Sequence, residues 1–343
     1  MRFNPPSFDE LEIAERVSAD YGLEGKWKAL VGERDQNFRL TSTQGGNYVV
    51  KIAGPDEKPE ITAFQVEALL FLEKNSPHIP VPRIVPTQNG DTLSQITNTE
   101  DVKHALRIVS YIDGIPYGDG EFPDAEHLQK VGAFMAGMVN ALEGFEHPAA
   151  RHFMPWNLSN GVAVSRELWA GAAPDITNLA APLLERLREE VLPAINACPS
   201  QVIHNDGHTG NLLRTDATSQ DVVGLIDFGD MVYAPIINEL AVTATTFQRN
   251  TLDDLNIVEN LLVGFHAVHP LSDNEVSLLW DAIILRLIIT VLLSDIKLLL
   301  DPQQATAGDD RTEALNMLEK IIHLDHNSQV NRLRAACGYN RER

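Results

Sequence analysis

Asp206, Asn211 and Asp227 are the side chains whose types and spacing could hold a metal beside a phosphate and a base beside a hydroxyl. Asp206 and Asn211 stand five residues apart in Val202-Ile203-His204-Asn205-Asp206-Gly207-His208-Thr209-Gly210-Asn211-Leu212-Leu213, on a loop bounded by apolar pairs. A carboxylate near a substrate hydroxyl can accept its proton as attack on phosphorus develops, and an amide oxygen five residues on can ligate a metal. Asp227 ends the apolar run Val222 to Ile226 and begins Asp227-Phe228-Gly229-Asp230, so a strand pair would return it beside Asn211. Magnesium takes few protein oxygens and completes its shell from phosphates and water, so Asn211 and Asp227 are enough. The chemistry expected is transfer of a terminal phosphate.

Phosphoryl transfer also needs positive charge that the metal alone does not supply. Lys51, at the end of Tyr48-Val49-Val50-Lys51, is the natural candidate for the nucleotide phosphates. Glu67, on the next helical stretch, could hold it in place. The polar connection Gly32-Glu33-Arg34-Asp35-Gln36-Asn37 would cover the phosphates, with Gly32 and Asn37 at its ends; its one glycine makes it a weak phosphate loop by itself.

These groups must be positioned by particular elements. Ser7 to Tyr21 has helical spacing, with Ser7 or Asp9 available to start it. Three strand-forming runs follow, at residues 27–31, 38–42 and 48–52, with Gln44-Gly45-Gly46-Asn47 as a hairpin turn. Pro59 to Lys74 reads as a helix, ended by an extended stretch carrying Pro77, Pro80, Pro82 and Pro86. Strand candidates at Asp91 to Ile96 and His104 to Tyr111 would complete a five-stranded sheet. Ile112 to Pro116 reads as a linker, which divides the chain into residues 1–110 and a mainly helical 111–343. Within the latter, Val131 to Met138 is rich in Gly, Ala and Met and suits close helix packing, and Leu179 to Val191 is expected as a helix with Pro182 in its first turn. Arg151 to Pro174 is poorly legible, and the polar tail after Ala335 is expected to fray.

The 343 residues suit one large bilobal unit or two domains. A formal charge of -21, from 48 acidic against 27 basic side chains, argues against nucleic acid or an anionic membrane as a partner. It is compatible with a cationic or zwitterionic substrate, although acidic surfaces also serve solubility. Cys198 and Cys337 have no metal-ligand spacing. Met1 to Pro6 lacks the apolar core of a signal peptide, so a cytoplasmic location is expected. Leu278 to Leu300 contains Asp281, Arg286, Asp295 and Lys297, which favours a buried helix over a membrane span.

The set His204-x-Asp206, Asn211 and Asp227-Phe228-Gly229, with Lys51 upstream, resembles the aminoglycoside phosphotransferase and choline kinase superfamily. More specifically, Gly32 to Phe38, His204-Asn205-Asp206 and Gly224 to Val232, with Asn238-Glu239-Leu240-Ala241, resemble hydroxylysine kinases and the kinase part of kinase-aminotransferase fusion proteins. The resemblance spans about residues 30 to 300. It implies an α+β, bilobal protein-kinase-like fold: a five-stranded antiparallel sheet with a helix, then a larger helical lobe. It implies Asp206 as catalytic base, Asn211 and Asp227 as magnesium ligands, Lys51 on the nucleotide phosphates with Glu67 as its partner, and Ser110 to Gly114, including Tyr111, as the hinge beside the purine. Gly207-His208-Thr209 stands where those kinases more often show Ala-Asn-Asp, which leaves the acceptor open.

The reading is therefore a magnesium-dependent kinase using ATP or GTP on a small amino alcohol or hydroxy amino acid, hydroxylysine-like by resemblance. Homoserine, choline or ethanolamine, and an aminoglycoside stand behind it, and a homodimer is left open. His204 is expected to hold backbone geometry, Asp230 to shape the loop, and His208 to act either near the substrate or as a structural donor. A zinc hydrolase built on His204-x-Asp206-x-His208 leaves Lys51, Asn211 and Asp227 unexplained. A non-catalytic nucleotide-binding module would typically lack one of these groups, and a protein kinase would usually carry Arg where Asn205 stands.

Overall fold

The computed structural model describes residues 5–219, 221–247, 254–300 and 305–339. Backbone contacts divide the chain into two units, Met1–Gly114 with Gly224–Ile226, and Ile115–Val223 with Asp227–Arg343.

The first unit opens with α1 (Glu10–Tyr21), capped by the Asp9 carboxylate on the Leu11 N–H and closed by Gly22 at φ +65°. Strands β1 (Gly25–Leu30), β2 (Gln36–Ser42) and β3 (Asn47–Ile52) form the expected meander. Gly45 and Gly46, both at positive φ, make its second turn. Helix α2 (Pro59–Asn75) carries its proline at the start, where the missing N–H has no helical partner to lose.

The sheet has six strands in place of five. The proline-rich connection contributes β4 (Ile84–Val85), which pairs with Val109 and Ile108 of β6 (Lys103–Ser110), while β5 (Ser94–Thr97) pairs with Leu106 to Lys103. The two short strands share one edge of β6, so the sheet is still five strands wide. Residues alternate between faces: Phe38, Leu40, Val50, Ile52, Leu106 and Ile108 are buried with Ile13, Val17 and Tyr21 of α1. The opposite face carries Asn37, Lys51 and Arg107 in one cross-strand row, because Asn37 pairs with Lys51 and Lys51 with Arg107. Asn37 thus belongs to β2 and not to the preceding loop.

The second unit begins with β7 (Ile115–Pro116) and α3 (Ala125–Ala141). The poorly legible region contains 3-10 turns and the short α4 (Gly161–Leu168). Helix α5 (Pro174–Arg186) starts earlier than expected, because Pro174 takes its first turn; Pro182 lies in its interior on an exposed face. A π-turn at Leu187–Val191 leads into α6 (Leu192–Asn196).

Strand β8 (Ser200–Ile203) pairs with β11 (Val232–Pro235), Ile203 opposite Val232, and β9 (Leu212–Arg214) pairs with β7. Between them in sequence, β10 (Gly224–Leu225) belongs to the first unit, where Leu225 donates to the Pro80 carbonyl. Helices α7 (Ile237–Ala244), α8 (Asp254–Val268), α9 (Asp273–Leu300), α10 (Ala305–Ile321) and α11 (His326–Ala336) complete the unit.

Helices α3 and α8 cross at reciprocal glycines: a Cβ on Gly132 would lie 2.0 Å from the Leu261 carbonyl oxygen, and one on Gly264 would lie 1.8 Å from that of Gln129. Among the described residues α9 alone is long and apolar enough to cross a membrane, and 83% of its most apolar window is buried inside the protein. Its charges have protein neighbours: Asp281 meets Arg186 and His326, Asp295 meets Arg311, and Arg286 and Lys297 meet Trp156. The end of the chain is docked as far as Tyr339, whose hydroxyl donates to the Leu271 carbonyl at 2.6 Å, while Arg334 pairs with Asp273. The fraying expected after Ala335 does not hold for Tyr339; Met1 to Asn4 and residues 340–343 lie outside the described part.

Candidate active site

The β8–β11 pair emits both arms of the site in the second unit. His204, Asn205 and Asp206 leave the end of β8, and Asp227 to Asp230 lead into β11. Asn205 and Asp227 both sit at positive φ, 64° and 62°, a region that short amide and carboxylate side chains tolerate better than bulky ones. His204 and Asn205 are fully buried. The His204 ring packs edge-on to Phe228 at 4.8 Å and its Nδ1 accepts the Asp206 N–H. The Asn205 amide donates to the Asp230 carbonyl at 3.2 Å, so each arm is pinned to the other.

Asp206 and Asn211 meet. Asn211 Nδ2 donates to Asp206 Oδ2 at 2.7 Å and to the Asp206 carbonyl at 3.0 Å, which turns Asn211 Oδ1 away from Asp206. His208 Nε2 lies 3.5 Å from the same Asp206 Oδ2. Burial opposes charge on Asp206, but the neighbouring His208 and Arg286 charges outweigh it and hold the carboxyl below its ordinary range, against repulsion from Asp227. Burial likewise opposes an imidazolium at His208, and Asp206 outweighs it, so His208 is raised. Gly210 constrains the ring further, donating its N–H to His208 Nδ1 at 2.9 Å. This leaves Nε2 as the protonated nitrogen facing Asp206, and a second proton on Nδ1 would break the Gly210 bond.

Glu239, from the first turn of α7, lies beneath this loop and is fully buried. Its Oε2 accepts the Asn205 N–H at 3.0 Å. Burial pushes its carboxyl up to about 7, against the pull of the Asn205 and His204 backbone N–H groups and of Arg286. Gly207 fits between these parts, since a Cβ there would lie 2.3 Å from Met135 Cε.

In the first unit, Lys51 Nζ lies 3.7 Å from Asp35 Oδ2, which also receives Arg107 at 3.1 Å. Gln65 of α2 accepts from Arg107 at 2.7 Å, so the Asn37, Lys51 and Arg107 row is tied to both the loop and the helix. Glu67 is exposed on α2. Gly32 makes a close turn, with a Cβ there 2.1 Å from the Asp35 carbonyl oxygen. Tyr111 donates its N–H to the Asn47 carbonyl at 2.9 Å and carries Arg39 over its ring at 4.1 Å.

Asp35, Arg107, Glu239 and Arg286 are charged residues at these sites to which no role is assigned on sequence. Asp35 is one of many acids, Glu239 lies within a quoted motif without a role of its own, and Arg286 weighs only against a membrane span. A buried charge inside an apolar run is the signal that could single out Arg286. As for a metal, Asn211 Oδ1 and the Asp227 carboxylate are oxygens suited to magnesium. No group of three His, Cys, Asp or Glu side chains able to hold a metal occurs among the described residues, which removes the geometric basis for the zinc hydrolase.

A sequence model described as the phosphotransferase enzyme family matches residues 26–269. Hydroxylysine kinase from Xenopus laevis is 28% identical over 295 residues, covering 79% of this chain and 78% of that protein. Homoserine kinase from Agrobacterium fabrum is 25% identical over 276 residues, 76% of each chain. Among solved structures, that of the microcompartment-associated aminopropanol kinase superposes with a TM-score of 0.74 at 15% identity, covering 94% of this chain and 100% of that one, a likeness of fold.

Proposed function

The chain belongs to the phosphotransferase enzyme family, and from that premise we propose that it moves the terminal phosphate of a nucleoside triphosphate, ATP or GTP, to the hydroxyl of a small hydroxy amino acid or amino alcohol. The observation that carries this reading is the Asp206–Asn211 contact at 2.7 Å, a candidate base and a candidate metal ligand locked together on one loop. Two relatives named for kinases of hydroxylated amino acids support the acceptor class.

In this mechanism Asp206 accepts the acceptor hydroxyl proton as the oxygen attacks phosphorus. Its carboxyl, held low, is ionised at neutral pH, and the Asn211 amide fixes its orientation. Asn211 Oδ1 and Asp227 would hold magnesium, which when bound neutralises charge on the transferred phosphate. Lys51, held by Asp35, would contact the nucleotide phosphates, with Glu67 of α2 as a further partner and Gly32 shaping the preceding loop. His204 and Glu239 hold the backbone of the loop and do no chemistry.

The test is a phosphorylation screen over hydroxy amino acids and amino alcohols with both nucleotides and magnesium, read by phosphorus NMR. A phosphate monoester is expected, and D206N should lower turnover by about a hundredfold to ten-thousandfold with magnesium-nucleotide affinity retained. Absence of a phosphorylated acceptor with either nucleotide, or near-wild-type turnover in D206N, would sink the reading.

A further inference from the structure

We propose that Arg286 is the anchor for the acceptor's carboxylate, so that this site takes hydroxy amino acids in preference to amino alcohols. The proposal rests on the reading of Asp206 as the base and deepens it.

Arg286 belongs to α9 and is only 6% exposed. A buried guanidinium ordinarily meets a carboxylate through its planar fork of donors. Here, among the described residues, no carboxylate lies within ion-pair distance of it, and its hydrogen bond is a single one, Nη1 to the Trp156 carbonyl at 2.6 Å. The other two guanidinium nitrogens, Nε and Nη2, carry no hydrogen bond among the described residues. The Trp156 ring lies 4.9 Å from the guanidinium carbon, and Lys297 Nζ approaches the same ring at 4.9 Å.

Trp156 ties this cation to the catalytic loop. It packs on Met154, Ile203, Val232 and Ala234, and Ile203 and Val232 are the paired residues at the root of the two arms that carry Asp206 and Asp230. The Arg286 charge is felt by Asp206 and Glu239, which puts it beside the acidic side of the site. An incompletely engaged guanidinium backed by an indole therefore stands beside the acids Asp206, Asp230 and Glu239. A zwitterion with a hydroxyl complements both: its ammonium suits the acids, its carboxylate the incompletely bonded fork. An amino alcohol leaves the guanidinium as it is.

The experiment compares hydroxylysine with 1,5-diaminopentan-2-ol, and homoserine with 3-aminopropan-1-ol, pairs that differ only by the carboxylate. Binding is measured by calorimetry and transfer by phosphorus NMR, for wild type, R286M and R286K, with circular dichroism and melting to verify folding. Wild type is expected to favour the amino acid of the accepted pair by about a hundredfold in kcat/KM, since a charge-assisted bidentate contact is worth about that ratio. R286M should abolish the preference, with the larger loss falling on KM for the amino acid, while R286K restores part of it. Equal wild-type use of both members, or an equal loss for both in R286M, overturns the anchor. Should R286M fail to fold, an R286K protein that is folded and keeps the full preference overturns it too, because a lysine cannot reproduce the planar fork. Arg286-dependent binding of the amino acid without phosphoryl transfer would uphold the anchor and reject the kinase reading instead.

Discussion

In the loop from His204 to Asn211, hydrogen-bond direction separates residues of similar type. Asn211 donates from Nδ2 to both the carbonyl and the carboxylate of Asp206, so its oxygen faces elsewhere and suits a cation. His204 and His208, two positions either side of Asp206, are separated in the same way: one is enclosed and holds an N–H, the other shares Oδ2 with Asn211. His208 suits a tuning position, since its Nε2 faces Asp206 Oδ2 and its Nδ1 closes the Gly210 turn. H208A removes this neighbour, so the Asp206 pKa should rise and the acidic limb of the kcat/KM profile should move to higher pH. A limb that stays in place would show that His208 does not tune the base.

Among the elements, the α3–α8 crossing sets the scaffold behind the loop, because Met135 of α3 abuts Gly207. Backbone carbonyls cannot yield as flexible side chains do, so G132A should lose about 2 to 3 kcal/mol, as in overpacked cores. G137A on the same helix meets no atom within 4 Å and should gain about 0.5 to 1 kcal/mol from helix propensity. Urea unfolding of both variants checks this pair, and a G132A midpoint at or above that of G137A would refute the close approach. The amphipathic α1 and the β2–β3 hairpin are legible in sequence because their apolar periods and turn residues are local. The two-residue β4 is not, since it owes its strand state to pairing with β6. Nor is the start of α5, where two prolines compete for one first turn and only packing selects Pro174.

For the whole molecule, the burial of Glu239 couples stability to pH. Its folded carboxyl titrates at about 7, above its ordinary range, so the folded state binds the extra proton in the interval between. The associated stability is fully present below the ordinary carboxyl range and is lost as pH rises through about 7, about 3 kcal/mol in total. E239Q should flatten the fall in urea midpoint between pH 5 and pH 8 relative to wild type; parallel curves for the two proteins would place the titration elsewhere.

The sequence by itself determined the order of chemical groups, Lys51 before Asp206, Asn211 and Asp227, and the phosphotransferase family, because these depend on residue type and spacing along the chain. Tertiary structure alone decided which charges become neighbours: Asp35 at Lys51, Glu239 under Asn205, and Arg286 behind Trp156. The reason is physical. Each of these contacts joins residues far apart in the chain or on different elements, and its strength comes from burial, which exists only once the helices and strands have packed.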